Sequence, residues 1–148
     1  MLLHLTYILV TNLLLTTNGF CFAKTQNVKV VIEGIRSSEG KIVIGVYKDE
    51  LSFKEDNPFI RKMYGKLNMS DGKMKVNLSL EPDTYGLALL DDENDDDVMN
   101  FNFLGIPKEG FGFSDYYHTN LSRPRFHKFS FVVEDNRERI VVCRIKYM

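Results

Sequence analysis

The chain has 148 residues, of which 44% are hydrophobic and 26% charged, and its formal net charge is −1. This length suits one domain, and the composition is that of an ordinary globular protein. A nearly neutral chain lacks the strong positive field that attracts nucleic acid or an anionic membrane surface. We therefore expect no nucleic-acid partner.

The first 23 residues differ from the rest of the chain. They contain no Lys, Arg, Asp or Glu, residues 5–15 are mostly apolar, and residues 21–23 read Cys-Phe-Ala, a small-x-small cleavage pattern. This layout predicts a signal peptide over residues 1–23, cleaved after Ala23, and a secreted or periplasmic protein. The alternative is an uncleaved membrane anchor, but Thr and Asn interrupt the run of about 20 apolar residues that a spanning helix needs. We therefore expect no stable membrane span after cleavage.

The number of cysteines in the mature protein depends on where the signal peptide is cleaved. Cleavage after Ala23 removes Cys21 and leaves Cys143 alone, whereas cleavage after Gly19 would keep both and permit one disulfide. A domain spanning residues 24–148 is large enough to bury a sizeable core without a disulfide.

The first half of this domain contains two alternating segments and one possible helix. Every second residue is apolar in 28–32 (Val28, Val30 and Ile32) and in 42–46 (Ile42, Ile44 and Val46). With the polar turn at 36–40 between them, these two rows predict a β-hairpin. Residues 57–65 begin with Asn-Pro and end with Gly, which are favourable residues for the start and end of a helix. We predict a short helix there that covers one end of the domain.

The second half adds further strands. Residues 73–80 alternate without interruption, the turn at Pro82 follows, and residues 85–89 are predicted to form the partner strand. Segments 128–133 and 141–147 show the same alternation. The pattern predicts an all-β fold, an antiparallel β-sandwich of about seven strands with one short helix. A small barrel and a jelly roll are the alternatives.

An acidic segment follows the strand at 85–89. Six of the seven residues 91–97 are carboxylates, and like charges this close together must either spread into solvent or bind a cation. Asp92, Asn94 and Asp96 lie at positions 1, 3 and 5 of a calcium-loop pattern, and oxygen donors suit calcium. The candidate metal ligands are Asp92, Asn94, Asp96, the backbone carbonyl of Val98, the side chain of Asn100, and Glu109 from further along the chain.

The calcium-loop pattern is incomplete. Asp97 occupies position 6, where a glycine is expected, and Phe103 occupies position 12, where a bidentate glutamate belongs. Asp tolerates the left-handed conformation better than most residues. The alternative to a calcium site is a solvated acidic turn that keeps this end of the sheet soluble.

Aromatic residues and glycines alternate after the acidic segment. Gly105, Gly110 and Gly112 indicate backbone that needs a positive φ or a close approach. The surrounding rings form either a packed plug over the mouth of the sandwich or an exposed platform for a glycan or lipid. The candidate platform residues are Phe103, Phe111, Phe113 and Tyr116.

Residues 85–114, YGLALLDDENDDDVMNFNFLGIPKEGFGFS, resemble an uncharacterised family of exported bacterial proteins, domain of unknown function 2141. The likeness extends over about residues 28–147. It implies export and a transthyretin- or immunoglobulin-like sandwich, and it brings no established activity. The family pattern has His at position 91, glycines at 95 and 97, and Asp at position 100, where this chain has Asp91, Asp95, Asp97 and Asn100.

The chain shows no strong catalytic motif. Cys143 lies within a strand pattern, Ser114 is not in a nucleophile-elbow sequence, and the spacing of His118 and His127 does not favour zinc. We therefore predict a non-catalytic exported module of unknown biological role, which acts in binding or envelope structure and is stabilised by calcium. Its partner would be an extracytoplasmic protein or glycan. The alternatives are a small extracytoplasmic hydrolase that uses Asp92 and Glu109, and a glycan- or lipid-binding protein.

Overall fold

The computed structural model describes residues 24–120 and 122–148, so the predicted signal peptide and Cys21 lie outside the described residues. The regular structure includes two short 3₁₀ turns, Lys66–Asn68 and Phe126–Lys128. Among these residues no helix has the length and apolar character needed to cross a membrane. In chain order, the strands and the helix are β1 (Gln26–Glu33), β2 (Lys41–Tyr47), α1 (Glu50–Lys54), β3 (Ile60–Gly65), β4 (Lys73–Leu80), β5 (Asp83–Asp92), β6 (Gly110–Phe113), β7 (Ser130–Val133) and β8 (Arg139–Arg144).

The eight strands form two sheets. The first sheet has the order β4-β1-β8, and the second has the order β3-β2-β5 followed by β6 and β7, which pair with successive parts of β5. All pairs are antiparallel except β1 with β8, which is parallel. The predicted all-β sandwich is confirmed, with eight strands in place of about seven.

Period-two alternation explains how the core forms. In β4 every second residue is buried and the residues between them are exposed, because successive side chains of a strand point to opposite faces. The inner faces of the two sheets meet in one apolar cluster that includes Val30, Ile44, Leu78, Leu87 and Cys143. Cys143 is therefore a core residue, as the sequence predicted.

Two predicted strand pairs are wrong. β1 and β2 lie in different sheets and do not form a hairpin, and β4 and β5 are also in different sheets. The turn at 36–40 and the turn at Pro82 each carry the chain across the sandwich. Alternation fixes which face of a strand is buried, but a strand buries the same face whether its chain neighbour lies beside it or opposite it.

The predicted helix at 57–65 is also wrong. Residues Ile60–Gly65 form strand β3 at the edge of the second sheet, paired with β2, and most of its side chains are exposed. Ile60 and Tyr64 pack against the sandwich core from one face of the strand, and this packing prevails over the favourable helix ends. The helix lies earlier, at α1, where the carboxylate of Asp49 accepts the backbone N–H of Ser52 at 2.7 Å.

The second sheet is covered on both faces. Every residue of β2 from Ile42 to Tyr47 is buried, so this strand has no solvent face. A second apolar cluster lies on its outer side and contains Tyr47, Phe53, Phe113, Phe126 and Phe129. α1 supplies Phe53 to this cluster, and the chain after β6 supplies Phe126 and Phe129.

Candidate functional site

The acidic loop begins directly at the end of β5. Asp92 is the last residue of this strand and pairs across the sheet with Lys41 at the start of β2. The loop then turns through two left-handed residues, Asp95 with φ 65° and Asp97 with φ 68°. These are the two positions where the family pattern has glycine, so the turn geometry expected of glycine is adopted here by aspartate.

Asp92 organises the turn through its side chain. It is fully buried, and its Oδ1 and Oδ2 accept the backbone N–H groups of Asp96 at 3.1 Å and Asp97 at 2.9 Å. A short carboxylate that accepts backbone N–H groups further along the chain stabilises a tight turn. The loop therefore has a defined shape that a rigid strand presents.

The first acidic residue, Asp91, belongs to a buried ion pair. Its Oδ1 contacts Nζ of Lys66, and both side chains are completely excluded from solvent. The hydroxyl of Tyr147 donates to its Oδ2, and Lys66 also donates to the carbonyl oxygen of Glu39 at 2.5 Å. Burial and the Asp91 carboxylate raise the pKa of Tyr147.

Three more carboxylates have basic partners. Glu93 accepts two hydrogen bonds from the guanidinium of Arg36, at 2.9 and 2.5 Å, and this contact lowers the pKa of Glu93. Nζ of Lys41 lies 2.6 Å from Oδ1 of Asp95 and 2.6 Å from Oδ1 of Asp97. These two hydrogen bonds raise the pKa of Lys41.

Asp96 has no basic partner within ion-pair distance in the described part of the chain. Its Oδ2 accepts the side-chain amides of Asn94 at 2.9 Å and Asn100 at 3.0 Å, and its Oδ1 accepts the backbone N–H of Val98 at 3.0 Å. Bonds from Val98 and the two amides lower the pKa of Asp96. The loop therefore keeps this carboxylate charged.

Glu109 enters the same region from the residue before β6. Its side chain is buried, with 5% of the residue exposed, and Oε2 accepts the backbone N–H of Asn100 at 3.1 Å. Oε1 is buried and has no hydrogen-bond partner among the described residues. Burial, together with the charges of Asp92 and Asp96, raises the pKa of Glu109.

Asp92, Asp96 and Glu109 converge. One carboxylate oxygen from each of them lies within 4.8 Å of the other two. Lys41 approaches Asp92 at 3.5 Å and neutralises only part of this charge. Apart from this contact, none of the three carboxylates has a cationic partner within ion-pair distance among the described residues, and carboxylates this close together repel one another unless a proton or a cation lies between them.

Three of the six candidate ligands come together in the structure. Three carboxylates converge, and Asn94 and Asn100 contact Asp96 through their amide nitrogens. Val98 contributes its backbone N–H to Asp96, while its carbonyl as a ligand stays a prediction. The basic residues Arg36, Lys41 and Lys66 could not be identified from the sequence. They lie before β2, at its start and after β3, and no local pattern connects them to the acidic loop.

The four candidate platform rings do not form one exposed surface. Phe113 is buried in the second apolar cluster, and Phe111 and Tyr116 are half-buried against it. Phe103 lies apart, with 94% of its surface exposed. Phe103 is thus separated from the other three rings, because β6 turns Phe113 into the layer between the sheet and α1, and a ligand platform stays a prediction.

The other residues that could act in catalysis are buried. Ser114 is fully buried, and its hydroxyl donates to the carbonyl oxygen of Phe129 at 2.5 Å. Burial also raises the pKa of the Cys143 thiol. Asp92 and Glu109, the carboxylates considered for hydrolysis, are buried as well. None of these four groups is presented to a large substrate at the surface.

These features define an all-β sandwich domain with a cluster of three carboxylates, two of them buried, at the end of one sheet. The chain belongs to the family of uncharacterized proteins conserved in bacteria known as domain of unknown function 2141, whose model matches residues 30–141. The resemblance found in the sequence is thereby confirmed. No curated protein and no solved structure matches the chain.

Proposed function

We propose that this protein is an exported, non-catalytic binding or structural module stabilised by a calcium ion at Asp92, Asp96 and Glu109. The observation that carries the proposal is Glu109 Oε1, a buried carboxylate oxygen without a partner among the described residues, next to two further carboxylates. A buried charge is strongly unfavourable unless it is paired or bound to a metal.

The distribution of charge supports this assignment. Asp91, Glu93, Asp95 and Asp97 each have a basic partner. The three carboxylates of the cluster have, between them, only the 3.5 Å contact of Asp92 with Lys41 in the described residues. A solvated acidic turn would expose its unpaired carboxylates. Asp96 is exposed, but Glu109, which has no cationic partner among the described residues, is buried, and so is Asp92.

The spacing of the cluster is compatible with calcium, since the three oxygens lie within 4.8 Å of one another. Calcium binds oxygen at about 2.3–2.6 Å, so two of its ligands can lie up to about 5 Å apart. Magnesium binds at about 2.0–2.1 Å, which restricts its ligands to about 4.2 Å. The side-chain oxygens of Asn94 and Asn100, the carbonyl of Val98 and water would complete the six to eight ligands that calcium takes.

Two features support export and a non-catalytic role. The uncharged apolar segment at residues 1–23 has the layout of a secretory leader. The cluster carboxylates Asp92 and Glu109 lie beneath the loop, where an ion can be held but a polymeric substrate cannot reach both. The partner of the module is proposed to be an extracytoplasmic protein or glycan.

Thermal unfolding of the purified protein in EDTA and in 1 mM CaCl₂ tests the metal. With a dissociation constant of about 100 μM, 1 mM calcium would stabilise the fold by about 1.4 kcal/mol and raise Tm by roughly 4–8 °C. Magnesium at the same concentration should give a smaller shift. The variant Glu109→Gln should lose the calcium response.

Glu138→Gln is the matched control, since Glu138 is exposed, pairs with Lys29 at 3.6 Å and accepts the side-chain amide of Asn27 at 3.3 Å. It should respond to calcium like the unchanged protein. A Tm that is the same in EDTA and in calcium would reject the metal site and leave the fold as described.

A further inference from the structure

A cavity lies on the outer face of the second sheet, separate from the carboxylate cluster. Its volume is about 560 Å³, which is within the range of about 300–1,000 Å³ typical of small-molecule sites. Val43 and Tyr47 of β2 contribute to its floor, because they alternate with the inward-facing core residues of that strand. Ala88, Leu90 and Phe111 from the neighbouring strands extend the floor.

Three segments enclose this floor. Phe53 of α1 stands on one side, residues 97–99 of the acidic loop with Phe101 on another, and residues 122–124 on a third. Most of these walls are apolar side chains. The cavity therefore offers a dry surface to an apolar or aromatic ligand body.

A buried histidine lines the cavity with an unused acceptor. Only 6% of His118 is exposed, and its Nε2 lies against the carbonyl oxygen of Ser122, so Nε2 carries the proton and Nδ1 is an acceptor. Nδ1 is buried and has no partner within the described residues. Buried polar atoms almost always have partners, and a ligand hydroxyl would provide one once a rotation of the imidazole turns Nδ1 toward the cavity.

Two arginines at the edge of the cavity have N–H groups without a hydrogen-bond partner among the described residues. Arg61 and Arg123 both face the single carboxylate of Asp56, at 3.5 and 4.0 Å. Arg61 faces Oδ2 of Asp56, whereas Arg123 faces Oδ1, which also accepts the hydroxyl of Tyr47 at 2.6 Å. The guanidinium of Arg123 also lies over the ring of Phe53, 4.2 Å from its centroid.

This pairing leaves the edge able to accept an anion. Each guanidinium has five N–H donors. Besides the contacts with Asp56, Arg61 donates to the carbonyl oxygen of Asp97 at 3.5 Å and Arg123 to that of Lys54 at 3.2 Å. These contacts leave further donors on both side chains without a partner among the described residues. Planar donors at the mouth of an apolar cavity suit a carboxylate, which can accept two parallel hydrogen bonds from one guanidinium.

We propose that this cavity binds a small aromatic carboxylate that bears a hydroxyl group. The ring lies on the floor formed by Val43, Leu90 and Phe111, and the carboxylate pairs with Arg61 and Arg123. The hydroxyl donates to Nδ1 of His118. This site is distinct from the proposed calcium site, although residues 97–99 belong to the acidic loop and also line the cavity.

Three probes that differ by one group test the proposal. Titration calorimetry of the purified protein with 4-hydroxycinnamate, cinnamate and cinnamyl alcohol should give affinities that fall in this order, with at least about tenfold between the carboxylate and the alcohol. Running each titration in calcium and in EDTA separates this site from the metal site. Binding in both conditions supports the cavity whatever the result for calcium.

Variants at the edge and on the floor locate the bound ligand. Arg61→Gln with Arg123→Gln should weaken cinnamate at least about tenfold and leave cinnamyl alcohol unchanged. Ala88→Leu, which fills the floor, should weaken all three. Lys62→Gln is the control, since Lys62 is an exposed neighbour on β3 outside the cavity.

The proposal is overturned if the folded protein binds none of the three probes at 1 mM, a concentration well above the about 0.1 mM dissociation constant expected of a small fragment. It is also overturned if the alcohol binds as tightly as cinnamate, or if the double arginine variant binds all three unchanged. Equal affinity for cinnamate and 4-hydroxycinnamate would overturn the assignment of His118.

Discussion

The backbone N–H of Asn100 donates to Oε2 of Glu109 at 3.1 Å. This bond ties the end of the acidic loop to a carboxylate nine residues later. Glu109 is thereby fixed with a carboxylate oxygen beside Asp92 and Asp96, so the proposed site is shaped by residues that a loop motif alone would not include.

Adjacent aspartates in the loop should differ in their effect on calcium. Asp96 belongs to the converging cluster, whereas Asp95 pairs with Lys41 at 2.6 Å. We predict that Asp96→Asn weakens calcium binding by about tenfold or more because it removes a charged ligand. Asp95→Asn should change it by less than about threefold. Calorimetric titration of both variants checks this, and equal losses would argue against the assignment of ligands.

The buried pair of Lys66 and Asp91 should be essential for stability. Lys66→Met leaves Asp91 as an uncompensated charge in a site with no solvent exposure. We expect the free energy of unfolding to fall by about 3–5 kcal/mol, measured by urea denaturation. Lys62→Met, on the exposed part of β3, should cost less than about 0.5 kcal/mol. Similar effects of the two substitutions would contradict the role given to the ion pair.

Gly40 should tolerate no side chain. Its φ is 68°, and a Cβ atom there would lie 1.9 Å from the backbone oxygen of Asp92. Gly40→Ala is predicted to destabilise the protein by more than about 3 kcal/mol, because backbone strain and a clash with rigid backbone add together. Gly105→Ala is the comparison, since its φ is 72° but nothing lies within 4 Å. It should cost only about 1 kcal/mol, and equal losses in thermal unfolding would show that the close approach is unimportant.

Glu93 gives the stability of the protein a defined pH dependence. Its hydrogen bonds with Arg36 lower the pKa of Glu93 below its ordinary value of 4.5. A carboxylate with a lowered folded pKa contributes stability above the unfolded pKa and loses it as pH falls through the folded pKa. The stability difference between the unchanged protein and Glu93→Gln, measured in EDTA, should therefore be constant near neutral pH and shrink below about pH 4.5. In an Arg36→Gln background this pH dependence should disappear.

The sequence predicted most strands because alternation follows directly from burial of one face. It recovered β4 residue by residue, and it placed the acidic loop at the end of β5. At Asp97 the calcium-loop pattern expects glycine, and the left-handed conformation there agrees with the tolerance of Asp for it. These features depend only on neighbours along the chain, so local reasoning reached them.

Strand pairing and the site could not be obtained in the same way. β3 was misassigned because an exposed edge strand buries only Ile60 and Tyr64, which also fits one face of a short helix. The basic partners Arg36, Lys41 and Lys66 are far from the loop in sequence. Contacts of this kind arise from how the sheets stack, and no local spacing encodes them.

The sequence by itself therefore determined an all-β domain with an oxygen-rich loop, since both follow from the order of side-chain types. Only the tertiary structure decided which carboxylates are neutralised, that Glu109 joins Asp92 and Asp96, and that a cavity lies beside them. The physical reason is that the charge and packing of each group are set by residues from other strands.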